Sequence, residues 1–199
     1  MESCCAITAV PEGQRRTLQI VLGINIVMFA AELVGGLLAH STALLADSAD
    51  MLGDALVYGF SLFAVGRGPR WQARAALVKG TLMGVFGATV LVEAVLKLAN
   101  GIVPLAAPMG VLGVVALAAN VVCLRLLWGH RRDDVNMRSA WICSRNDVLA
   151  NGAVLVASAG VALLDSGWPD VAAGLLIAAL VLRSAVGVIR DSCRGLSPV

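Results

Sequence analysis

Charge is scarce in this chain. Asp, Glu, Lys and Arg supply only 14% of its 199 residues, and 59% of the sequence is hydrophobic. Soluble domains run near 25% charged. A soluble core has no room for so much apolar sequence in so short a chain, so the composition specifies an integral membrane protein. A strong excess of either sign is also missing. The formal net charge is +2, and the basic residues fall between apolar segments, which excludes a nucleic-acid partner. An even cysteine count is missing too. Five cysteines (Cys4, Cys5, Cys123, Cys143 and Cys193), three of them in or beside apolar runs, argue for reduced thiols and against a disulfide framework. No cleavable signal peptide is expected. Residues 1–16 are polar, and the apolar run behind them is too long for a signal core. Internal repeats and low-complexity tracts are likewise missing.

What is present is a series of long apolar runs. About 20 such residues cross a bilayer as one helix. Six segments qualify: 17–39, 42–66, 73–99, 103–127, 137–163 and 168–189. Gly35-Gly36 and His40-Ser41 close the first. Gly66 to Trp71 separates the second and third, and Asn100-Gly101 with Pro104 turns the chain after the third. Gly129 to Asn136 is the most polar connection, and Asp165 to Asp170 forms the last hairpin. The expected fold is an all-α membrane protein with six transmembrane helices. Residues 1–16 form an N-terminal tail, 17–190 the six-helix membrane domain, and 191–199 a short C-terminal tail.

Basic residues set the orientation. Arg15 and Arg16 precede the first helix, Arg67, Arg70, Arg74 and Lys79 flank the second loop, Arg125, Arg131, Arg132 and Arg138 flank the fourth, and Arg190 and Arg194 follow the sixth helix. Lys97 is the only base near a helix end on the other side. Both termini are therefore expected in the cytoplasm, in a bacterial inner membrane.

Against this background the polar residues inside the spans stand out, because an ionised acid in hydrocarbon costs several kcal/mol, on the order of 3 or more. In the second helix, Asp47, Asp50 and Asp54 fall within about 60° of one another. In the fifth, Cys143, Asp147 and Asn151 climb one face. The pairs Asp50/Asp54 and Cys143/Asp147 each have the i, i+4 spacing that puts both members on one helix face. With six spans the two helices run in opposite directions, so the pairs can meet at similar depth. Three carboxylates and a thiolate make a four-coordinate site of the kind zinc takes. The thiolate favours Zn²⁺ or Cd²⁺ over Mg²⁺ or Ca²⁺. The bland alternative is an acid held by a base to fasten helices. Arg145 is the nearest base, and it points about 200° away from Cys143 and Asp147. A buried Cys is also often a plain small hydrophobe. Glu32, Asp47 and Glu93 should share a depth toward the outer side, where they line a release path or relay protons, or else are structural acids. Cys4 and Cys5 are soft-metal donors in the tail, though two thiols alone cannot complete a site.

The run HSTALLADSADMLGD resembles the second-helix signature of the cation diffusion facilitator transporters, and NMRSAWICSRNDVLANGAVL resembles their fifth-helix signature. AAELVGGLLA, Asn120 and the opening of the last helix agree as well. The resemblance covers nearly the whole chain. It implies six transmembrane helices, usually in a homodimer, and export of divalent metal, here Zn²⁺ or Cd²⁺, in exchange for protons. It implies no cofactor and no enzymatic activity. Its four-residue transport site falls on Asp50, Asp54, Cys143 and Asp147. Cys at the third of these departs from the family pattern, which usually has His or Asp there. The resemblance also implies a short form without the cytoplasmic metal-binding domain that members commonly carry. Two other classes remain as alternatives. One is a membrane-embedded metal-dependent enzyme acting on a nucleotide-linked lipid, against which Asp47 is followed by Ser48 with no matching Arg. The other is a non-transporting subunit of a metal-handling complex. Because ligands must lose protons to bind metal, one shared set of groups would exchange metal for protons.

Overall fold

The computed structural model describes residues 12–63, 69–132 and 135–196. Cys4 and Cys5 lie outside the described residues. Six helices follow one another: α1 (Glu12–Ala39), α2 (Thr42–Phe63), α3 (Pro69–Asn100), α4 (Ala106–Trp128), α5 (Val135–Leu164) and α6 (Trp168–Leu196). The described residues contain no strand. Every expected span is a helix, and α1, α3 and α6 run several residues further at their polar ends. Arg15, Arg16 and Arg190 sit exposed on these extra turns, where helical backbone hydrogen bonds continue past the apolar stretch. Pro69 opens α3, at the one helical position where its missing N–H costs little.

Five of the helices are long and apolar enough to cross a membrane. The exception is α2, because every stretch of it long enough to span carries Asp47, Asp50 and Asp54. Its position accounts for this. The most extensive pairings are α3 with α6, α1 with α2 and α4 with α5, and α2 also packs on α6, α3 and α5. The acidic helix is thus wrapped by the apolar ones. Ser41 and residues 42–49 of α2 are all buried, while large apolar side chains such as Leu38, Val85, Val111, Val156 and Leu180 face outward, as lipid-facing surfaces require.

Three short turns gather at one end of the bundle. His40 (φ 51°), Gly101 (φ 62°) and Asp165 (φ 45°) take left-handed backbone conformations in them. The Leu105 N–H donates to the Ala39 carbonyl at 2.9 Å, and Gly167 lies against the Ile102 carbonyl.

The strongest fastening at this end is Asp170, fully buried in the first turn of α6. Its carboxylate accepts from Ser41 Oγ at 2.6 Å, from the Thr42 N–H at 2.7 Å and from the Ala43 N–H at 3.0 Å. Ser41 Oγ in turn accepts from the Leu44 N–H at 3.1 Å. An acid from α6 thereby caps the N-terminus of α2, satisfying donors the helix cannot satisfy itself and complementing its dipole. Gly174 makes the approach possible, since a Cβ there would stand 2.8 Å from the Thr42 carbonyl carbon. Lys97 of α3 is also buried here, in electrostatic range of Asp170 and 3.5 Å from Glu93. Its predicted place near a helix end is right, and its partners were not readable from the sequence.

Asp170→Ala should leave three buried donors unsatisfied and cost roughly 2–4 kcal/mol. Asp170→Asn, which keeps one acceptor oxygen, should cost less. Thermal unfolding of the detergent-solubilised protein checks this, and an unchanged midpoint for Asp170→Ala would refute the clasp.

Candidate metal site

The site residues come from α2 and α5, which cross in the interior. Asp54 and Asp147 are both buried, and their carboxyl groups lie within hydrogen-bond reach of each other. Ionised carboxylates only accept, so that contact needs a proton or a cation between them. Asp54 also accepts from Tyr58 Oη at 2.9 Å. Tyr58 is the single tyrosine of the chain and is fully buried.

The other two predicted ligands flank this pair. Asp50, one turn from Asp54, is half-buried and in electrostatic range of Asp47, Asp54 and Lys79. Cys143, one turn from Asp147, is half-buried and in range of Tyr58. The Asp147 carboxyl is in range of Asp50 and Asp47 as well as Asp54. The four predicted residues therefore share one region, with Asp54 and Asp147 in contact. Among the described residues, no three His, Cys, Asp or Glu side chains stand close enough together to hold a metal ion.

The accessory residues divide. Glu32 of α1 and Asp47 of α2 are fully buried and within hydrogen-bond reach of each other. No N–H or O–H donor of a described residue reaches any of their four oxygens. Glu93 is not brought to them, because it is partly exposed and pairs with Lys97 along α3. Asn151 is buried one turn beyond Asp147, donates to the Asp147 carbonyl at 2.8 Å and leaves its own oxygen without a donor. Arg145 is exposed and lies 5.6 Å from the Trp141 ring centroid, away from the acids.

Three groups near the site were missed from the sequence. Lys79, counted there with the loop, is buried on α3 beside the acidic face of α2. Tyr58 lies one turn past Asp54 on the same face, a spacing that could have flagged it. Asn25 is buried on α1, seven residues before Glu32 and so on the same stripe.

A family model described as the cation efflux transmembrane domain matches residues 18–197. The chain is 27% identical over 199 residues to the "Cadmium, cobalt and zinc/H(+)-K(+) antiporter" of Bacillus subtilis, covering 91% of this chain and 63% of that protein. It is 28% identical over 194 residues to the "Metal cation efflux system protein CzcD" of Cupriavidus metallidurans, covering 92% and 61%. It is 30% identical over 199 residues to the "Zinc transporter ZitB" of Pectobacterium atrosepticum, covering 92% and 62%. The chain thus spans about three fifths of the length of these relatives. All three names describe transport and none an enzyme. The apolar helices and this match together make the protein a multi-pass integral membrane protein. With acidic α2 and α5 meeting inside a six-helix bundle and the family match running through all six helices, the chain belongs to the cation efflux family.

Proposed function

We propose that this protein carries divalent metal ions, Zn²⁺ or Cd²⁺ first, out of the cytoplasm in exchange for protons, and that Asp50, Asp54, Cys143 and Asp147 hold the ion in transit. The observation that carries the reading is the carboxyl contact between Asp54 and Asp147 across α2 and α5. Two acids joined inside an apolar bundle form a place where either a proton or a metal ion is at home, and the two occupants exclude each other. The relatives' printed names support metal as cargo, and one of them names protons and K⁺ as counter-ions.

The packing supports alternating access. The end bearing the three short turns is held by Asp170 and by the Leu105–Ala39 hydrogen bond. The basic residues put that end outside, so the ion enters from the cytoplasmic side. The contact of α2 with α5 is less extensive than its contacts with α1, α3 and α6, so a shift of α5 against α2 can bring Cys143 and Asp50 to the ion at modest packing cost. Protons then replace the metal from the outer side, where Glu32 and Asp47 lie on the way. The working form is a homodimer, as the resemblance implies.

Proteoliposomes containing only this chain test the reading. Uptake of Zn²⁺, Cd²⁺, Co²⁺ and Mn²⁺ is measured while internal pH is followed. Zn²⁺ or Cd²⁺ uptake with counter-movement of protons is expected, and its reduction to background in Asp54→Ala and in Asp147→Ala. Absence of flux for every ion from folded protein, or full flux in either variant, would refute the carrier. Cys143→Asp replaces a soft donor by a hard one and should lower the Cd²⁺ rate relative to Zn²⁺ and Mn²⁺. Equal relative rates in parent and variant would remove the thiolate from the ligand set.

A further inference from the structure

Three buried carboxamides have oxygens without donors: Asn25 of α1, Asn120 of α4 and Asn151 of α5. Asn120 has no partner for its nitrogen either. The side-chain nitrogen of Asn25 is used within its own helix, donating to the Val21 carbonyl at 2.9 Å. Each of the three is at most 1% exposed. Burying a polar atom without a partner is unfavourable, so three carboxamide oxygens in that state in one bundle call for an explanation that apolar packing does not supply.

Two apolar clusters fix where Asn25 and Asn120 stand. Met28 of α1, Met51 of α2 and Ala116 of α4 pack together. Val21, Tyr58 and Cys123, from the same three helices, pack together in another cluster. Along each helix one buried polar residue separates the two: Asn25 between Val21 and Met28, Asp54 between Met51 and Tyr58, and Asn120 between Ala116 and Cys123. These three therefore share the layer between the clusters. Asp147 joins it through its contact with Asp54. The backbone agrees, since Ser144 Oγ, three residues before Asp147, reaches the Asn120 carbonyl at 3.4 Å. Cys123, the next buried residue of α4, is in electrostatic range of Asp54.

We propose that Asn25 and Asn120 are ligand-bearing residues of the transport site, supplying neutral carboxamide oxygens to the divalent ion beside the Asp54 and Asp147 carboxylates. The inference rests on the carrier reading above and extends it from two helices to four. Asp50 and Cys143 stand one turn away from this layer on their helices, where they complete the four-residue set proposed above. Carboxamide oxygens from α1 and α4 add neutral ligands at the level of Asp54 and Asp147, raising the coordination number without adding charge. Neutral oxygens also favour harder ions than a thiolate does, so the two amides and Cys143 pull selectivity in opposite directions.

Zn²⁺ and Cd²⁺ binding to the purified full chain, by titration calorimetry in detergent, tests this. Asn25→Leu and Asn120→Leu, with size preserved and the oxygen removed, should each bind Zn²⁺ about 10- to 100-fold more weakly. The loss should be larger for Zn²⁺ than for Cd²⁺, a change in ratio that lost packing alone would not produce. Asn120→Asp keeps an oxygen at the site and should bind at least as tightly as the parent. Leu variants with the parent Kd, or an Asp variant as weak as Leu, would overturn the role. Infrared difference spectra of the parent protein labelled with ¹³C-asparagine, with and without Zn²⁺, serve where a variant does not fold. A metal-induced shift of an asparagine side-chain carbonyl band is expected, and its absence would overturn the proposal. Asp54→Asn is run alongside. If it too keeps the parent Kd, the carrier site itself is wrong; if it alone loses binding, only the carboxamide role falls.

Discussion

Two carboxyl groups from different helices come within hydrogen-bond reach inside this bundle, and the rest of the structure is arranged around the difficulty of holding them there. Hydrocarbon offers them nothing, so they must be enclosed by protein. The four helices around α2 provide that enclosure. Asp54 gains a hydrogen bond from Tyr58, and Asp147 gains the contact with Asp54 itself. Lys79 of α3 is buried beside the same acidic face, in electrostatic range of Asp50. Ionised carboxylates only accept, so the Asp54–Asp147 approach still calls for a proton or a cation between them.

The fastening at the hairpin end has the opposite character. Asp170 is as buried as any acid in the protein, yet its two oxygens take a hydroxyl and two backbone N–H groups from the start of α2. It is satisfied without a mobile occupant. An acid satisfied in this way holds the structure together, and one left without donors does not. By that distinction Asp170 is structural, although it lies on the same side as Glu32 and Asp47. Glu93 belongs with the structural group too, since Lys97 neutralises it on the same helix. Glu32 and Asp47 differ from both, because among the described residues no N–H or O–H donor reaches their oxygens.

The helices were legible because each is a long apolar run, and a run needs no knowledge of its neighbours. The acidic stripes of α2 and α5 were legible for a similar reason: at 3.6 residues per turn, i, i+4 spacing declares a shared face. What a face looks at is a property of two helices at once, and periodicity in one of them does not contain it. Lys79 read as a loop-flanking base because it follows Arg67, Arg70 and Arg74; only the packing of α3 on α2 brings it beside the acids. Asp170 read as part of a turn for the same reason. The polar ends of the helices were short by several residues because hydropathy marks the hydrocarbon boundary, while the backbone follows its hydrogen bonds beyond it.

Asn25 shows how such a residue escapes notice and what its burial means. A lone asparagine in an apolar helix carries no charge and breaks no pattern strongly. Its significance appears only when α1, α2 and α4 are set in register by their methionine, valine and alanine contacts. One layer then holds an asparagine, an aspartate and a second asparagine, with apolar layers above and below. Burying each of these groups is unfavourable, and three helices do so at one depth. The apolar clusters on either side hold these side chains at one depth, so the amide and carboxyl groups of three helices lie in one layer instead of being spread along the bundle.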